Sequence, residues 1–181
     1  MMKKILFFFV FLYGCSNQST IPKPQAFLYN ELKEPDYVFY ESNCGYSFFV
    51  NPKNDISSEN CNIKIKNTSL NSTIYLSQVS VKNNFNLIDS DFIKKINENS
   101  TNAFSVNVSE FNDIENKVFA KYFSFTGNAP SNTRFYITDS ISVYLKGSLY
   151  FDSKPNYDSL LPSVYFVNNE IRKMIQTFKW K

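Results

Sequence analysis

The sequence contains no histidine, a single tryptophan, four glycines and three cysteines among its 181 residues. Histidine is the commonest general base and a frequent zinc ligand, so its absence disfavours most hydrolytic and metal-dependent mechanisms. The cysteines show no C-x-x-C spacing, which argues further against a zinc site. We therefore expect no enzymatic activity, no metal and no other cofactor.

Two aspartate–serine pairs are the remaining catalytic candidates, because a serine–lysine or paired-carboxylate mechanism needs no histidine. These are Asp139 with Ser140 and Asp158 with Ser159. Such pairs at the ends of strands and helices more often form turns and helix caps. We interpret both as structural, with Asp158–Ser159 as the N-terminal cap of the last helix.

The chain also lacks an apolar run long enough to span a membrane. The run from Ile5 to Tyr13 is about half of the ~20 residues that a spanning helix needs, and it follows two lysines. This pattern predicts a secretory signal peptide over residues 1–14. The end of the run, LYGC, is similar to a bacterial lipobox, which predicts cleavage before Cys15 and lipid attachment to its thiol. The alternative is an ordinary signal peptide with an incidental cysteine.

The residues after Cys15 are polar and include two prolines, in SNQSTIPKP. Because this stretch has no periodicity, residues 15–26 are predicted to form an extended tether. The remaining residues, 27–181, have the length of one domain, and 43% hydrophobic content supplies its core.

If Cys15 carries lipid, Cys44 and Cys61 remain as one pair. Disulfides persist in exported proteins, so we expect these two cysteines to be bonded. A bridge that closes a loop of this size stabilises a fold by about 3 kcal/mol. The alternative is a pair of buried free thiols.

The net charge is only +3, and lysines and arginines are interspersed with acidic residues. A nucleic-acid interface needs clustered positive charge, so we expect no nucleic-acid partner.

Period-two alternation predicts strands around residues 47–50, 63–65, 74–81, 104–108, 117–125, 133–138 and 142–151. The polar stretches 51–60 and 66–72 are predicted turns, and the disulfide would join the ends of the first two strands if these are neighbours. Apolar spacing at Ile88, Phe92 and Ile96 predicts a helix capped by Asp89 or Ser90, and a second helix is predicted from Asp158 to Trp180. The fold class is therefore α+β, with an antiparallel sheet of about six to seven strands packed against two helices. Phe119, Phe123 and Phe125 are predicted to line its core.

Polar side chains cluster in the predicted loop before the strand at 133–138, and loops of this kind often bind ligands or partners. The candidates are Asn128, Ser131, Asn132 and Arg134, whose guanidinium suits a carboxylate or phosphate. Tyr157 is a further candidate contact. The alternatives are a solvated hairpin loop and a Tyr157 buried under the last helix.

Several motifs carry a resemblance to a known family. They are GNAPSNTRFYITDS at 127–140, LKGSLYFDSKPNYDSLLPSVYFVNNEI at 145–171 and the terminal TFKWK, with PKP, NCGYSF, Cys61 and TIYLS in matching order before them. Over essentially the whole mature chain, the sequence resembles the gliding-motility lipoprotein GldD family of Bacteroidetes. Its layout also resembles that of Mog1/PsbP-type domains, which bears on the fold alone.

The resemblance implies a cell-envelope protein needed for gliding motility and the linked type IX secretion system, without enzymatic activity. It also implies lipid on Cys15 and partners among the other envelope proteins of that machinery. Surface-exported lipoproteins of this phylum resemble one another in having acidic residues after the lipidated cysteine, and residues 16–19 here are uncharged, so a periplasm-facing domain is expected. The alternative function is a PsbP-like module that binds a small ligand or glycan near Arg134.

The chain departs from the family pattern at three places. Phe27, Leu28 and Tyr29 stand where relatives tend to have an arginine, Asn62 replaces a tryptophan, and no histidine stands near Asn99. Contacts that relatives make through those groups are not expected here.

Overall fold

The computed structural model describes residues 32–152 and 157–181. The predicted signal peptide, Cys15 and the tether lie outside these residues, as do residues 153–156 in the motif KPNYDS. Among the helices that are described, none combines the length and hydropathy that a membrane crossing requires.

The described residues form ten strands and two helices. In chain order these are β1 Val38–Ser42, β2 Tyr46–Val50, β3 Asp55–Glu59, β4 Asn62–Asn67, β5 Ser72–Ser80, α1 Phe85–Ser100, β6 Ala103–Asp113, β7 Val118–Gly127, β8 Thr133–Thr138, β9 Val143–Phe151, α2 Tyr157–Gln176 and β10 Lys179–Trp180.

Seven strands form one antiparallel sheet in the order β3-β4-β5-β9-β8-β7-β6, and three form a second antiparallel sheet in the order β1-β2-β10. The predicted α+β class is therefore confirmed, and the larger sheet has the predicted number of strands. The smaller sheet is an addition that the sequence pattern did not indicate.

Helix α2 covers one face of the seven-stranded sheet because its apolar residues recur at helical spacing. Val167, Ile171 and Met174 of α2 pack in one buried cluster with Ile63 and Ile65 of β4. The smaller sheet covers the rest of this face, and its inward side chains Tyr46 and Phe48 are fully buried in the same cluster.

Helix α1 packs on the opposite face. Its buried residues Ile88, Phe92 and Ile96 contact Phe123 and Phe125 of β7, as well as Tyr144 of β9. Successive residues of a strand point to opposite faces, so these side chains alternate with those that meet α2. The prediction that Phe123 and Phe125 are core residues is confirmed, whereas Phe119 is only partly buried.

The predicted disulfide joins Cys44 and Cys61. Cys44 lies in the turn between β1 and β2, and Cys61 lies in the turn between β3 and β4. The strands around residues 47–50 and 63–65 are not neighbours, because β2 and β4 belong to different sheets. The bridge therefore connects the two sheets.

Several element boundaries differ from the prediction. The predicted turn at 51–60 contains β3, and α1 begins at Phe85 after the N-cap residue Asn84. Asp89 therefore lies inside the helix, where its carboxylate accepts a hydrogen bond from Tyr144 Oη at 3.0 Å. Helix α2 ends at Gln176, and the chain returns as β10 beside β2.

Candidate binding site

The loop between β7 and β8 carries most of the predicted binding residues, and three of them share one pocket. Asn128, Asn132 and Tyr157 line a surface pocket of about 330 Å³ together with neighbouring loop residues. Asn128 Oδ1 accepts a hydrogen bond from the Tyr157 N–H at 3.4 Å, which joins the loop to the first residue of α2. Tyr157 is partly buried, between the two alternatives that its sequence context allowed.

Ser131 lies between two lining residues of the loop, Pro130 and Asn132, and is fully buried. Its backbone N–H donates to Asn99 Oδ1 at 3.0 Å, and Asn99 Nδ2 donates to the Ser131 carbonyl at 2.8 Å. The Ser131 hydroxyl lies 2.8 and 2.9 Å from the carbonyl oxygens of Thr133 and Leu149. These contacts hold the loop against α1 and the sheet, so Ser131 has a structural role.

Arg134 is separated from the pocket residues because it lies one residue into β8 and points to the α1 face of the sheet. This placement follows from its neighbours, since Phe135 packs in the α2 cluster and adjacent strand residues point to opposite faces. The predicted binding residues therefore lie in three different places: a surface pocket, the interior and an open face of the sheet.

The open part of that sheet face is the second candidate surface. Helix α1 packs on β7, on parts of β6, β8 and β9 and on Val79 at the end of β5, whereas the face around Lys64 of β4 and Tyr75 of β5 is exposed. Tyr75 is 42% exposed there. We call this surface the basic face and define it by the six residues Lys64, Lys66, Tyr75, Arg134, Lys146 and Tyr150.

Strand register brings these residues together. Lys64 stands opposite Tyr75, Tyr75 stands opposite Ser148, and Ser148 stands opposite Arg134, so the four residues form one row across β4, β5, β9 and β8. Tyr150 lies two residues along β9 from Ser148, in the row of Lys66 and Thr73. Lys146 lies two residues from Ser148 in the opposite direction along β9, in the neighbouring row on the other side of the central row.

Four side chains of the basic face contact one another in a chain. Lys64 Nζ lies 5.7 Å from the centroid of the Tyr75 ring, and the rings of Tyr75 and Tyr150 meet edge to face at 5.8 Å. Arg134 Nη2 donates to Tyr150 Oη at 3.2 Å. The Nε of Arg134 is buried and has no hydrogen-bond partner among the described residues.

The cations of the basic face have no ion-pair partners in the described ranges, where the salt bridges join Lys95 to Glu98, Lys121 to Glu110 and Lys181 to Glu41. Their positive charge is thus available to an anionic group. Sequence reasoning found Arg134 but missed the other five residues. The alternation in NIKIK marks Lys64 and Lys66 as outward-facing, but only strand order shows that they lie beside Tyr75 and Tyr150.

The two aspartate–serine pairs occupy positions typical of structural residues. The Asp139 carboxylate accepts hydrogen bonds from the backbone N–H groups of Ile141, Ser142 and Val143 at 2.8–3.0 Å and from the Ser142 hydroxyl. Burial alone would raise the pKa of Asp139, but these four hydrogen bonds together lower it. The predicted cap at Asp158–Ser159 is wrong, because α2 begins at Tyr157 and both residues lie inside the helix. In the first turn of α2, the negative charge of Asp158 interacts favourably with the helix dipole.

Within residues 32–152 and 157–181, no three His, Cys, Asp or Glu side chains are grouped so that they could hold a metal ion. A comparison with protein families matches residues 17–180 to the family described as gliding motility lipoprotein GldD. A search of curated proteins finds no significant match.

Proposed function

The chain belongs to the gliding motility lipoprotein GldD family, and from this premise we propose that it is a lipid-anchored accessory that binds other envelope proteins of the gliding and type IX secretion machinery. The family match is the observation that carries the proposal. It includes both helices and all ten strands of the described chain. The entire folded domain is therefore a family domain.

Lipid on Cys15 would anchor the domain to a membrane. Cys15 stands two residues before the start of the family match, and the small residue Gly14 precedes it. Several acyl chains give stable membrane binding, whereas a single chain gives only reversible binding. In this proposal the domain faces the periplasm and the tether of residues 15–26 separates it from the bilayer.

Binding of proteins, rather than catalysis, is the activity that the surface chemistry supports best. The basic face is an open sheet surface with aromatic and cationic side chains, and aromatic residues and arginine are enriched in protein interfaces. The aspartates that could have been catalytic are occupied by turn hydrogen bonds or lie in a helix turn.

The proposal is tested in a deletion strain complemented with the wild-type chain or with Cys15→Ala. We expect the wild-type chain to restore gliding and export of a secreted reporter, and we expect Cys15→Ala to restore neither. Mass spectrometry of the mature wild-type protein should show acyl chains on Cys15. A wild-type protein without lipid on Cys15, or full complementation by Cys15→Ala, would contradict the anchored role.

A small-ligand or glycan module is the second candidate function, and the loop pocket favours it. Asn128 and Asn132 offer amide groups there beside the ring of Tyr157, an arrangement that suits a sugar. Arg134 does not line this pocket. Asn132→Leu should abolish a thermal shift produced by a glycan of the organism's own envelope, whereas the absence of any such shift would favour protein binding.

A further inference from the structure

We propose that the basic face binds an extended acidic segment of a partner protein, with two carboxylates four residues apart contacting Lys64 and Arg134. This inference deepens the protein-binding function proposed above and rests on it.

The spacing of the central row supports an extended segment. Lys64 and Arg134 are three strand positions apart in that row, which is about 14 Å at the usual separation of ~4.8 Å between neighbouring strands. An extended chain rises about 3.4 Å per residue, so residues i and i+4 of such a segment are also about 14 Å apart. Side chains i and i+4 point to the same side, so both carboxylates can face the row.

The middle of the row suits the residue between the two carboxylates. Tyr75 and Ser148 lie between Lys64 and Arg134, so side chain i+2 of the segment would contact the exposed Tyr75 ring. The cross-strand contact with Tyr150 restricts the Tyr75 side chain before binding, which reduces the entropy that binding must overcome.

Arg134 is the group best suited to a carboxylate. Among the described residues its guanidinium makes one hydrogen bond, to Tyr150 Oη, so most of its N–H donors have no acceptor. A guanidinium fork binds a carboxylate through two parallel hydrogen bonds, which a lysine ammonium cannot match. Tyr150 holds the fork in place from the side.

The charges around the row favour an anion at its centre. Lys66 and Lys146 lie in the rows on either side of it and add positive charge. Two carboxylates, Asp55 and Glu59, border the face on β3, but they belong to the outer rows, and Ser57 is the β3 residue in the central row. On α1, Glu98 is paired with Lys95 at 2.8 Å, and its carboxylate also interacts electrostatically with Arg134.

The basic face and the start of the described chain lie on opposite sides of the larger sheet. The described chain begins beside α2, where Leu32 lines a groove with Leu161 and Phe166, and Lys173 Nζ lies 5.6 Å from the ring of Tyr37. Helix α2 covers the face opposite to the basic face. The first described residue, Leu32, therefore lies on the side of the sheet opposite to the basic face.

The test uses the full mature lipoprotein in detergent and a fluorescent nine-residue peptide of threonine and valine with two glutamates four residues apart. Binding is measured by fluorescence anisotropy at low and moderate salt. We expect the peptide to bind, its affinity to fall as salt increases, and a matched peptide with lysines in place of glutamates not to bind. Lys64→Glu combined with Arg134→Gln should weaken binding at least tenfold.

Lys53→Glu is the matched control, since Lys53 is an exposed lysine beside the groove that Leu32 lines on the α2 side. It should leave the affinity unchanged. Circular dichroism and thermal melting verify that each variant is folded. No peptide binding, or equal losses in the Lys53 variant and the double variant, would overturn the proposal. So would binding of a sulfated oligosaccharide or of phosphatidylglycerol vesicles through Lys64 and Arg134 without binding of the acidic peptide.

Complementation distinguishes this inference from the function on which it rests. If Cys15→Ala fails to restore gliding while Lys64→Glu with Arg134→Gln restores it fully, the anchored function stands and the basic face is not its contact surface. If Cys15→Ala restores gliding fully, the proposed function itself is wrong.

Discussion

Gly147 occupies a position in β9 where the packing leaves no room for any side chain. It stands opposite Phe135 in β9 and β8, and a Cβ at Gly147 would overlap the ring of the fully buried Phe135. Every other residue type carries a Cβ, so this position accepts only glycine while Phe135 keeps its place.

We predict that Gly147→Ala lowers the free energy of unfolding by about 1–3 kcal/mol, the usual cost of overpacking a core. Urea denaturation measures the change. Phe135→Leu in the same background should recover part of the loss, because the smaller side chain makes room for the methyl group. A Gly147→Ala protein as stable as the wild type would refute the close contact.

Glu170 is a buried carboxylate without a cationic partner among the described residues. It is 4% exposed and accepts hydrogen bonds from the side-chain amides of Asn51 and Asn54, the second at 3.2 Å. Burial raises the pKa of Glu170 above its usual value of 4.5, although the two amide donors oppose this shift. The folded state therefore holds the proton more tightly than the unfolded state does.

The pH dependence follows from this direction. The stabilising contribution of the protonated carboxyl is fully present below pH 4.5 and is lost as the pH rises through the higher pKa of the folded state. Glu170→Gln cannot titrate and keeps one acceptor for Asn51. We predict a flatter dependence of the free energy of unfolding on pH in this variant, measured by urea denaturation between pH 4 and 8. Glu59→Gln, on an exposed edge strand, should keep the wild-type dependence, and an unchanged slope in Glu170→Gln would disprove the assignment.

The disulfide is a covalent cross-link between the two sheets, in addition to the main chain that runs from β2 to β3. It joins the β1–β2 turn to the β3–β4 turn across a sequence separation of 17 residues. In the chain-entropy model, a bridge over a loop of this length stabilises the folded state by about 3 kcal/mol.

We predict that Cys44→Ala with Cys61→Ala lowers the free energy of unfolding by about 3 kcal/mol, since the unbridged unfolded chain gains conformational freedom. Urea denaturation with and without a reducing agent measures the effect. The stability of the double variant should not change when the reducing agent is added. The wild type should lose about as much stability on reduction as it loses through the double substitution. A wild type whose midpoint does not move on reduction would contradict the prediction.

Edge strands are where the sequence pattern was least informative. In β3 all residues except Ile56 are exposed, because this strand pairs with a neighbour on only one side. Its serines and acidic residues are typical of turns. The alternation of apolar and polar residues that marks a half-buried strand is therefore missing. The two-residue strand β10 is too short to show any period.

One core runs through both sheets. Tyr46 and Phe48 of the smaller sheet belong to the same buried cluster as Leu76 and Ile171, and Phe178 packs against Tyr46 at 5.2 Å between ring centroids. Trp180 follows in β10, where its Nε1–H donates to the Lys117 carbonyl at 3.0 Å and joins the smaller sheet to the β6–β7 turn.

We therefore predict that the domain unfolds in one cooperative transition. Trp180 is the single tryptophan, so its fluorescence reports on the smaller sheet, whereas far-UV circular dichroism reports on all elements. The two urea transitions should coincide. A fluorescence transition at lower urea than the circular dichroism transition would show that the smaller sheet unfolds separately.

The sequence by itself determined the α+β class, both helices, the central strands and the pair of cysteines available for a disulfide. These features depend on which side chains are apolar and at what spacing, and that information is local. The buried spacing of Ile88, Phe92 and Ile96 indicates a helix whatever it packs against.

The tertiary structure alone decided which strands are neighbours, and with them the candidate surfaces. The pairing of β5 with β9 placed Lys64, Tyr75 and Arg134 in one row, although they are far apart in the chain. It also divided the predicted loop residues among a pocket, the interior and the basic face. The physical reason is that a strand's alternation records which of its faces is buried, whereas its partner and register depend on hydrogen bonds and packing with distant segments.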